Sequence, residues 1–254
     1  MKGMKRFTTA LVGGLIVAIS SLPASADTLF GVYAGAGSWQ QEYGGDIRST
    51  IASVDVEDDL GIDDESNNVL YFAFEHGVPL LPNVRAQFMR MDVDGQNVLS
   101  RSIDFNGQTF ALSDNVATAV ELDQTDALFY YQVLDSAVSL DLGLSVSMLE
   151  GQIDIQSSTE GASADFDEVI PMLYAGMRAD LPLAGFWVKA EAQGVSFEGN
   201  SLMEYTALVG YESPIGLGIE AGYRSVQLEL EDFEDVQNAQ IDINGPYAAL
   251  NFHF

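Results

Sequence analysis

The sequence predicts an all-β fold, a closed antiparallel up-and-down transmembrane β-barrel of about ten strands, with eight or twelve strands as the alternatives. Three observations favour it. Apolar and polar residues alternate with period two over segments of about ten residues. Short turns alternate with longer acidic connections. The last residues are apolar and aromatic at every second position, in a chain with an export signal.

Residues 1–26 have the pattern of a secretory signal peptide that is cleaved after export. Basic residues lie between positions 2 and 6, an apolar stretch runs from 7 to 19, and Ala24-Ser25-Ala26 gives the cleavage site. The apolar stretch is shorter than the roughly 20 residues that a membrane-spanning helix needs. We therefore expect residues 27–254 to form a single barrel domain outside the cytoplasm.

The clearest strand lies at 137–154, where six apolar residues from Val138 to Met148 occupy every second position. Small or charged residues stand between them, which gives one dry and one wet face. Ten segments have this character: 28–41, 68–77, 83–93, 121–134, 137–154, 168–181, 186–198, 201–212, 217–230 and 245–254. The weakest is 83–93, because Arg90 and Asp92 continue its apolar face. A bulge near Met89 or a short membrane crossing would accommodate these two residues.

The connections between these segments fall into two groups. Those at Val78–Asn83, Asp135-Ser136, Ala184-Gly185 and Ser213–Gly216 are short. Those near 44–67, 95–117, 156–167 and 231–243 are longer and acidic, as expected for the external loops of a barrel with short periplasmic turns. The strand count stays open because 46–56 and 101–112 are also candidate strands. Asn106-Gly107 predicts a hairpin turn that projects from an external loop.

The C-terminal residues carry a resemblance to a known class of proteins. Phe254, Phe252 and Leu250 resemble the terminal signal by which the barrel-assembly machinery recognises bacterial outer-membrane β-barrels. The whole exported chain is similar to the small outer-membrane barrels of the OmpA, OmpX and OmpW type, and the stretches 31–39 and 58–68 resemble most an uncharacterised outer-membrane β-barrel family of about ten strands. The resemblance implies a Gram-negative cell outer membrane, contact with its lipids and lipopolysaccharide, and assembly by that machinery. It implies no activity.

Composition excludes several kinds of function. The chain has 38 acidic and 10 basic residues and a formal net charge of −28, so its field repels nucleic acid. It has no cysteine and two histidines, which excludes thiolate chemistry and His-rich metal clusters. No cofactor is predicted.

Charged residues of the wet faces form a predicted lumen network. Its members are Glu75, Arg85, Asp141, Arg178, Asp180, Lys189, Glu191, Glu204, Glu212, Glu220 and Arg224. Two interpretations stand side by side: a pore whose acidic excess selects cations, or paired charges that plug a narrow barrel. Barrels of about eight strands are filled by side chains, so ten strands favour the plug.

A second acidic cluster lies at Asp55–Glu65, with seven carboxylates in eleven residues. It does not match the EF-hand calcium loop. We expect a solvated surface loop that binds divalent cations at most diffusely.

These features predict a non-enzymatic outer-membrane protein that acts in envelope structure or surface interaction through acidic external loops. The alternative is a narrow cation-preferring channel or small-solute transporter. A soluble β-sandwich is the structural alternative, because alternation alone fits it equally well. His76 and His253 fall at the periplasmic rim, away from the external leaflet where barrel hydrolases act, and no Gly-x-Ser-x-Gly motif is present.

Overall fold

The computed structural model describes residues 30–49, 53–57, 59–78, 80–233 and 236–254. The predicted signal peptide, 1–26, lies outside these residues. Within them, no helix is long and apolar enough to cross a membrane. The strands are β1 (Phe30–Ser49), β2 (Ser53–Asp55), β3 (Glu65–His76), β4 (Asn83–Val98), β5 (Ile103–Phe105), β6 (Gln108–Phe110), β7 (Asn115–Leu134), β8 (Val138–Gln156), β9 (Gly161–Asp180), β10 (Phe186–Phe197), β11 (Asn200–Glu212), β12 (Leu217–Phe233) and β13 (Val236–His253).

Ten of these strands form one closed antiparallel barrel. Each long strand pairs with the next along the chain, and β13 returns to pair with β1 from Tyr33↔His253 to Ser49↔Val236. Closure leaves no free sheet edge around the ring, which is what a lipid environment demands of a β-structure. The even number of strands puts the described N-terminal and C-terminal residues at the same end. The predicted ten-stranded barrel is confirmed.

The three short strands add nothing to the ring. β2 pairs only with the end of β1, and β5 and β6 form a separate two-stranded hairpin. The turn of that hairpin is the predicted one, since Asn106 and Gly107 have φ of 45° and 77°. Segments 46–56 and 101–112 therefore do not raise the strand count.

Two of the predicted long loops are wrong. β8 runs to Gln156 and β9 starts at Gly161, so most of 156–167 is strand. β12 and β13 likewise occupy 217–233 and 236–253, which includes most of 231–243. The strands thus continue well beyond the predicted membrane crossings and lengthen one end of the barrel.

The barrel has two regions with opposite polarity, and β8 shows both. From Val138 to Met148 its outward side chains are apolar and its inward ones are small or polar. From Leu149 to Gln156 the outward side chains are Glu150, Gln152, Asp154 and Gln156, and the inward ones include the apolar Ile153 and Ile155. We call the part with the short turns and apolar exterior the lower barrel, and the extension with the apolar interior the upper barrel.

The upper barrel has a hydrophobic core of its own. Nine buried residues form it: Val56, Leu60, Ile62, Val93, Leu99, Ile103, Phe110, Val116 and Ile155. Ile103 and Phe110 come from the β5–β6 hairpin, which folds over this core instead of projecting into solvent. Asn106 at the tip of the hairpin donates a hydrogen bond to the carbonyl oxygen of Ser163 in β9 at 2.6 Å. The hairpin therefore caps the upper barrel.

For the weakest predicted strand, 83–93, the structure shows the shorter membrane crossing and not the bulge. β4 keeps an unbroken register with β7 from Asn83 to Val98, so no bulge is present near Met89. Its outward apolar residues end at Phe88, and Arg90 and Asp92 follow as exposed residues of the upper barrel. Arg90 lies 2.9 Å from Asp92 and 3.8 Å from Glu121 and Asp123, which keeps it among carboxylates.

Candidate functional site

Glycines make room for aromatic side chains inside the lower barrel. A Cβ atom at Gly35 of β1 would overlap the ring of Tyr71 from β3, and one at Gly210 would overlap the indole of Trp187. Glycines at these positions allow large inward rings to cross the neighbouring strand. The glycine-rich start of β1 therefore packs a crowded interior and does not form a nucleotide loop.

A cavity of about 460 Å³ occupies the lower barrel. All eleven residues of the predicted network line it, together with the turn residues Asp135 and Ser136 at the lower rim. Nine carboxylates and four Lys or Arg side chains face this space. The structure thus brings the predicted residues to one compartment. Their role in ion selection stays a prediction.

One carboxylate holds both cations near the centre of the cavity. Arg85 Nη1 lies 2.6 Å and Lys189 Nζ 3.0 Å from the same oxygen, Glu191 Oε1. The hydroxyl of Tyr174 also donates to this oxygen. Three donors thus meet at one oxygen of Glu191, and the ion pairs of Arg85 and Lys189 among the described residues are both with this carboxylate.

The lower rim carries two further pairs. Arg178 lies 3.2 Å from Asp180 and 4.6 Å above the ring of Trp187. His253 Nδ1 lies 3.1 Å from Glu212 Oε1, and its ring stacks on Tyr33 at 4.1 Å. The second histidine ends β3 at the same end of the barrel, as predicted from its place before a short turn.

Five carboxylates of the cavity take part in no ion pair among the described residues: Glu75, Asp126, Asp135, Asp141 and Glu220. Glu75 accepts a hydrogen bond from the Tyr130 hydroxyl at 2.6 Å. Glu220 accepts from Tyr247 at 3.2 Å and from Asn251 at 3.0 Å. Asp141 is 9% exposed, and its Oδ1 is buried with no hydrogen-bond partner in the described part of the chain.

A buried layer closes the cavity at its upper end. Arg224 donates to Glu204 at 2.7 Å, and Gln124 donates to the other oxygen of Glu204 at 3.0 Å and to Asp126. The guanidinium of Arg224 lies 5.0 Å from the ring centre of Trp39, which is fully buried. Above this pair, Val69, Met89 and Met91 are also buried and continue the packing. Among the described residues the interior is filled at this level.

Sequence reasoning missed part of this layer. Gln124, Asp126 and Trp39 were not in the predicted network, although they are as buried as its members. A signal for two of them was present: Ala127, Phe129 and Tyr131 face outward, so counting by twos places Asp126 and Gln124 inside. Nothing in the sequence indicated that β1, β7, β11 and β12 bring these side chains to one height.

The acidic segment 55–65 is more ordered than predicted. Asp59 is buried and accepts hydrogen bonds from Ser100 at 2.8 Å and Arg101 at 2.7 Å, and its Oδ2 also accepts from the backbone N–H of Asp55 at 2.9 Å. Burial by itself acts to raise the pKa of Asp59. The backbone hydrogen bond with Asp55 and the contacts with Ser100 and Arg101 outweigh burial and hold that pKa below its usual range.

The prediction of a solvated loop is therefore only partly correct: Glu57, Asp63, Asp64 and Glu65 are exposed, whereas Asp59 is buried. Val56, Leu60 and Ile62 from the same stretch enter the upper core. No group of three or more His, Asp or Glu side chains with metal-binding geometry occurs among the described residues.

No protein-family model and no curated protein matches the chain. Solved structures do match. The outer membrane protease OmpT from Escherichia coli is 10% identical over 89% of this chain and 96% of its own, with a TM-score of 0.53. The translocator domain of the autotransporter NalP from Neisseria meningitidis is 13% identical over 88% of both chains, with a TM-score of 0.45. Ail from Yersinia pestis is 8% identical over 88% of this chain and 98% of its own, with a TM-score of 0.38.

The likeness to OmpT, at 10% identity, shows the fold alone. The fold is that of a closed outer-membrane β-barrel, which confirms the resemblance stated from the sequence at the level of architecture.

Proposed function

We propose that this chain is a non-enzymatic protein of the Gram-negative outer membrane that acts in envelope structure or surface interaction through its upper barrel. The observation that carries the proposal is the closed interior. Glu204, Arg224 and Trp39 fill the barrel where a transport path would have to pass. A barrel filled by side chains across its section offers no continuous path through the membrane.

The exterior of the lower barrel supports placement in a membrane. Its outward residues are apolar and exposed, for example Phe72, Leu144 and Leu250, with exposed fractions of 54%, 59% and 61%. Lipid acyl chains cover such a belt, and closure satisfies the backbone hydrogen bonds there. Outer-membrane lipids and lipopolysaccharide are thus the proposed surroundings. Phe254, Phe252 and Leu250 are the proposed signal to the barrel-assembly machinery.

The exterior of the upper barrel supports the surface role. Above the apolar belt the outward residues of β8 and β9 are polar or acidic, among them Glu150, Asp154, Asp165 and Asp167. A tall, negatively charged wall of this kind suits cationic partners and diffusely bound divalent cations, and it repels anionic ones. The ion pair between the buried Asp59 and the exposed Arg101, together with the capping hairpin, supports the shape of this wall.

A narrow cation-preferring channel is the second candidate. One observation favours it: the cavity reaches the lower rim and carries more carboxylates than cations. Conduction would require the Glu204–Arg224 layer to part. Breaking a buried ion pair costs about 3–5 kcal/mol, so a channel of this kind would open rarely.

Single-channel recording separates the two candidates. The refolded mature protein, checked by its heat-modifiable mobility, is placed in a planar bilayer with a salt gradient. The proposal predicts a silent bilayer for the parent and for Glu204→Gln and Glu220→Gln. Discrete steps with a cation-selective reversal potential, weakened in those variants, would establish the channel instead. Recovery of the protein in the soluble periplasmic fraction would contradict both candidates.

A further inference from the structure

The cavity of the lower barrel contains negative charge that the protein itself leaves unbalanced. Glu75, Asp141 and Glu220 line it, and none of them has an ion-pair partner among the described residues. The central cations Arg85 and Lys189 form their ion pairs with Glu191 and lie within ion-pair distance of none of these three carboxylates. Unpaired carboxylates inside a barrel are costly, since burial favours either an ion partner or loss of the charge.

Asp141 is the least satisfied of the three. Glu75 and Glu220 accept hydrogen bonds from tyrosine hydroxyls. Asp141 Oδ1 is buried without a partner in the described part of the chain, on a side chain that is 9% exposed and lines the cavity. The carboxylate of Asp141 is thus incompletely satisfied, and a cationic donor that meets its accessible part from the cavity balances its charge.

The rest of the lining suits a small organic cation. Five tyrosines face the cavity: Tyr33, Tyr71, Tyr130, Tyr174 and Tyr247. Tyr33 already stacks on His253 and Tyr174 already faces Arg85. Aromatic rings such as the other three attract ammonium groups and cover the apolar part of an amine. The volume of about 460 Å³ lies within the range of small-molecule pockets. No cluster of three metal-ligating side chains occurs in the described residues, so the lining does not favour a bare metal ion.

We propose that this cavity is a binding site for a small organic ammonium compound, with Asp141 as the main acceptor and Glu75 and Glu220 as the supporting charges. The cavity reaches the rim at Asp135 and Ser136, between β7 and β8. In the membrane orientation of the proposed function this rim faces the periplasm, so the ligand enters from that side. The direction of entry rests on the proposed function; the binding chemistry does not.

Calorimetric titration of the folded protein in detergent micelles tests the inference, with 1,4-diaminobutane as the probe and 1,4-butanediol as its uncharged match. Asp141→Asn keeps the shape of the side chain and removes its charge, and we expect it to weaken diamine binding at least tenfold. Because this change removes a buried, unpartnered charge, it should not impair folding. Glu150→Gln is the matched control, since Glu150 lies on the same strand but faces outward. This variant should bind the diamine with the same affinity as the parent.

Saturable diamine binding that is absent for the diol and lost in Asp141→Asn supports the inference. Lack of saturable binding to the heat-modifiable parent overturns it, as does equal affinity in parent and Asp141→Asn. Magnesium that binds as tightly as the diamine and with the same dependence on Asp141 also overturns it. If Asp141→Asn fails to fold, Glu75→Gln provides the same comparison. None of these results depends on bilayer conductance or cell fractionation, so failure here leaves the proposed function standing.

Discussion

The lower and upper barrel are built from the same strands and turn the same face of each strand inward, but the polarity of that face is reversed. In the lower barrel, Leu142 and Leu144 of β8 point out while Asp141 and Ser145 point in. In the upper barrel, Ile155 of the same strand is buried inside and Gln156 points out. The difference follows the solvent, because apolar side chains face lipid in one region and must leave water in the other.

This difference makes the two regions stable for different reasons. The lower barrel depends on lipid for its apolar contacts and on paired charges inside. The upper barrel carries a hydrophobic core under the β5–β6 hairpin, as a soluble protein does. The same type of substitution should therefore change the free energy of unfolding by different amounts in the lower and in the upper barrel.

The largest effect is expected at the closing layer of the lower barrel. Arg224→Ala leaves the buried Glu204 without its cation and should lower the free energy of unfolding by about 3–5 kcal/mol. Urea unfolding in detergent or liposomes measures this value. Arg90→Ala is the control: Arg90 is an exposed arginine among carboxylates, and its loss should cost about 1 kcal/mol or less. Equal effects at the two sites would mean that the layer is solvated rather than closed.

A charge placed on the outer face of β8 should reveal the boundary between the regions. Leu144→Arg puts a guanidinium into the apolar belt and should cost about 2–4 kcal/mol. Gln152→Arg puts the same charge on the same face of β8, eight residues further along the strand and in water, and should change stability by no more than about 0.5 kcal/mol. Both values come from the same unfolding experiment. A similar cost for both variants would place the whole strand in one solvent.

The third prediction concerns acid sensitivity of the upper barrel. Asp59→Asn weakens charged hydrogen bonds with Ser100 and Arg101 and should cost about 1–3 kcal/mol near neutral pH. Because folding lowers the pKa of Asp59, its contribution is complete above the unfolded pKa of about 4 and is lost as pH falls through the lower folded value. The gap between parent and variant should thus close in acid.

Unfolding curves across pH, and amide hydrogen exchange at 103–110, measure the difference in stability between the parent and Asp59→Asn. Asp165→Asn, an exposed outward residue of β9, should differ little from the parent at any pH. A gap between Asp59→Asn and the parent that widens in acid would contradict the assigned direction of the pKa.

The smallest effect is expected at the tip of the capping hairpin. Asn106→Gly keeps the positive φ of the turn and removes the hydrogen bond to Ser163. We expect a loss of about 1 kcal/mol or less and faster amide exchange in β5 and β6, with the lower barrel unchanged. Unaltered exchange would show that the apolar residues Ile103 and Phe110 hold the cap without this bond.

The lower barrel was predictable from the sequence because its pattern is simple. Apolar side chains at every second position from Val138 to Met148 fix both the strand and its outward face. The same counting placed all eleven charged residues on the side that lines the cavity. Pairing partners within the cavity, such as Arg85 with Glu191 across 106 positions, depend on the register of distant strands.

The upper barrel was missed because the alternation changes phase. In β8 the apolar positions are even up to Met148 and odd at Ile153 and Ile155; in β9 they are even at Phe166 and odd at Leu173. A search for one continuous apolar face ends where the face switches sides, although the backbone continues. The acidic residues between then appear as loops, which explains the errors at 156–167 and 231–243.

Spin-label accessibility along β8 tests the central claim most directly. The chain has no cysteine, so single cysteines at 140, 144, 148, 150, 152 and 156 give unambiguous labels. In liposomes, oxygen dissolves in lipid, so the account predicts that it accelerates the spin relaxation of labels at 140, 144 and 148. A water-soluble nickel complex should accelerate the relaxation of labels at 150, 152 and 156. Nickel access at every position, or oxygen access at every position, would contradict a barrel whose outer face passes from lipid into water between Met148 and Glu150.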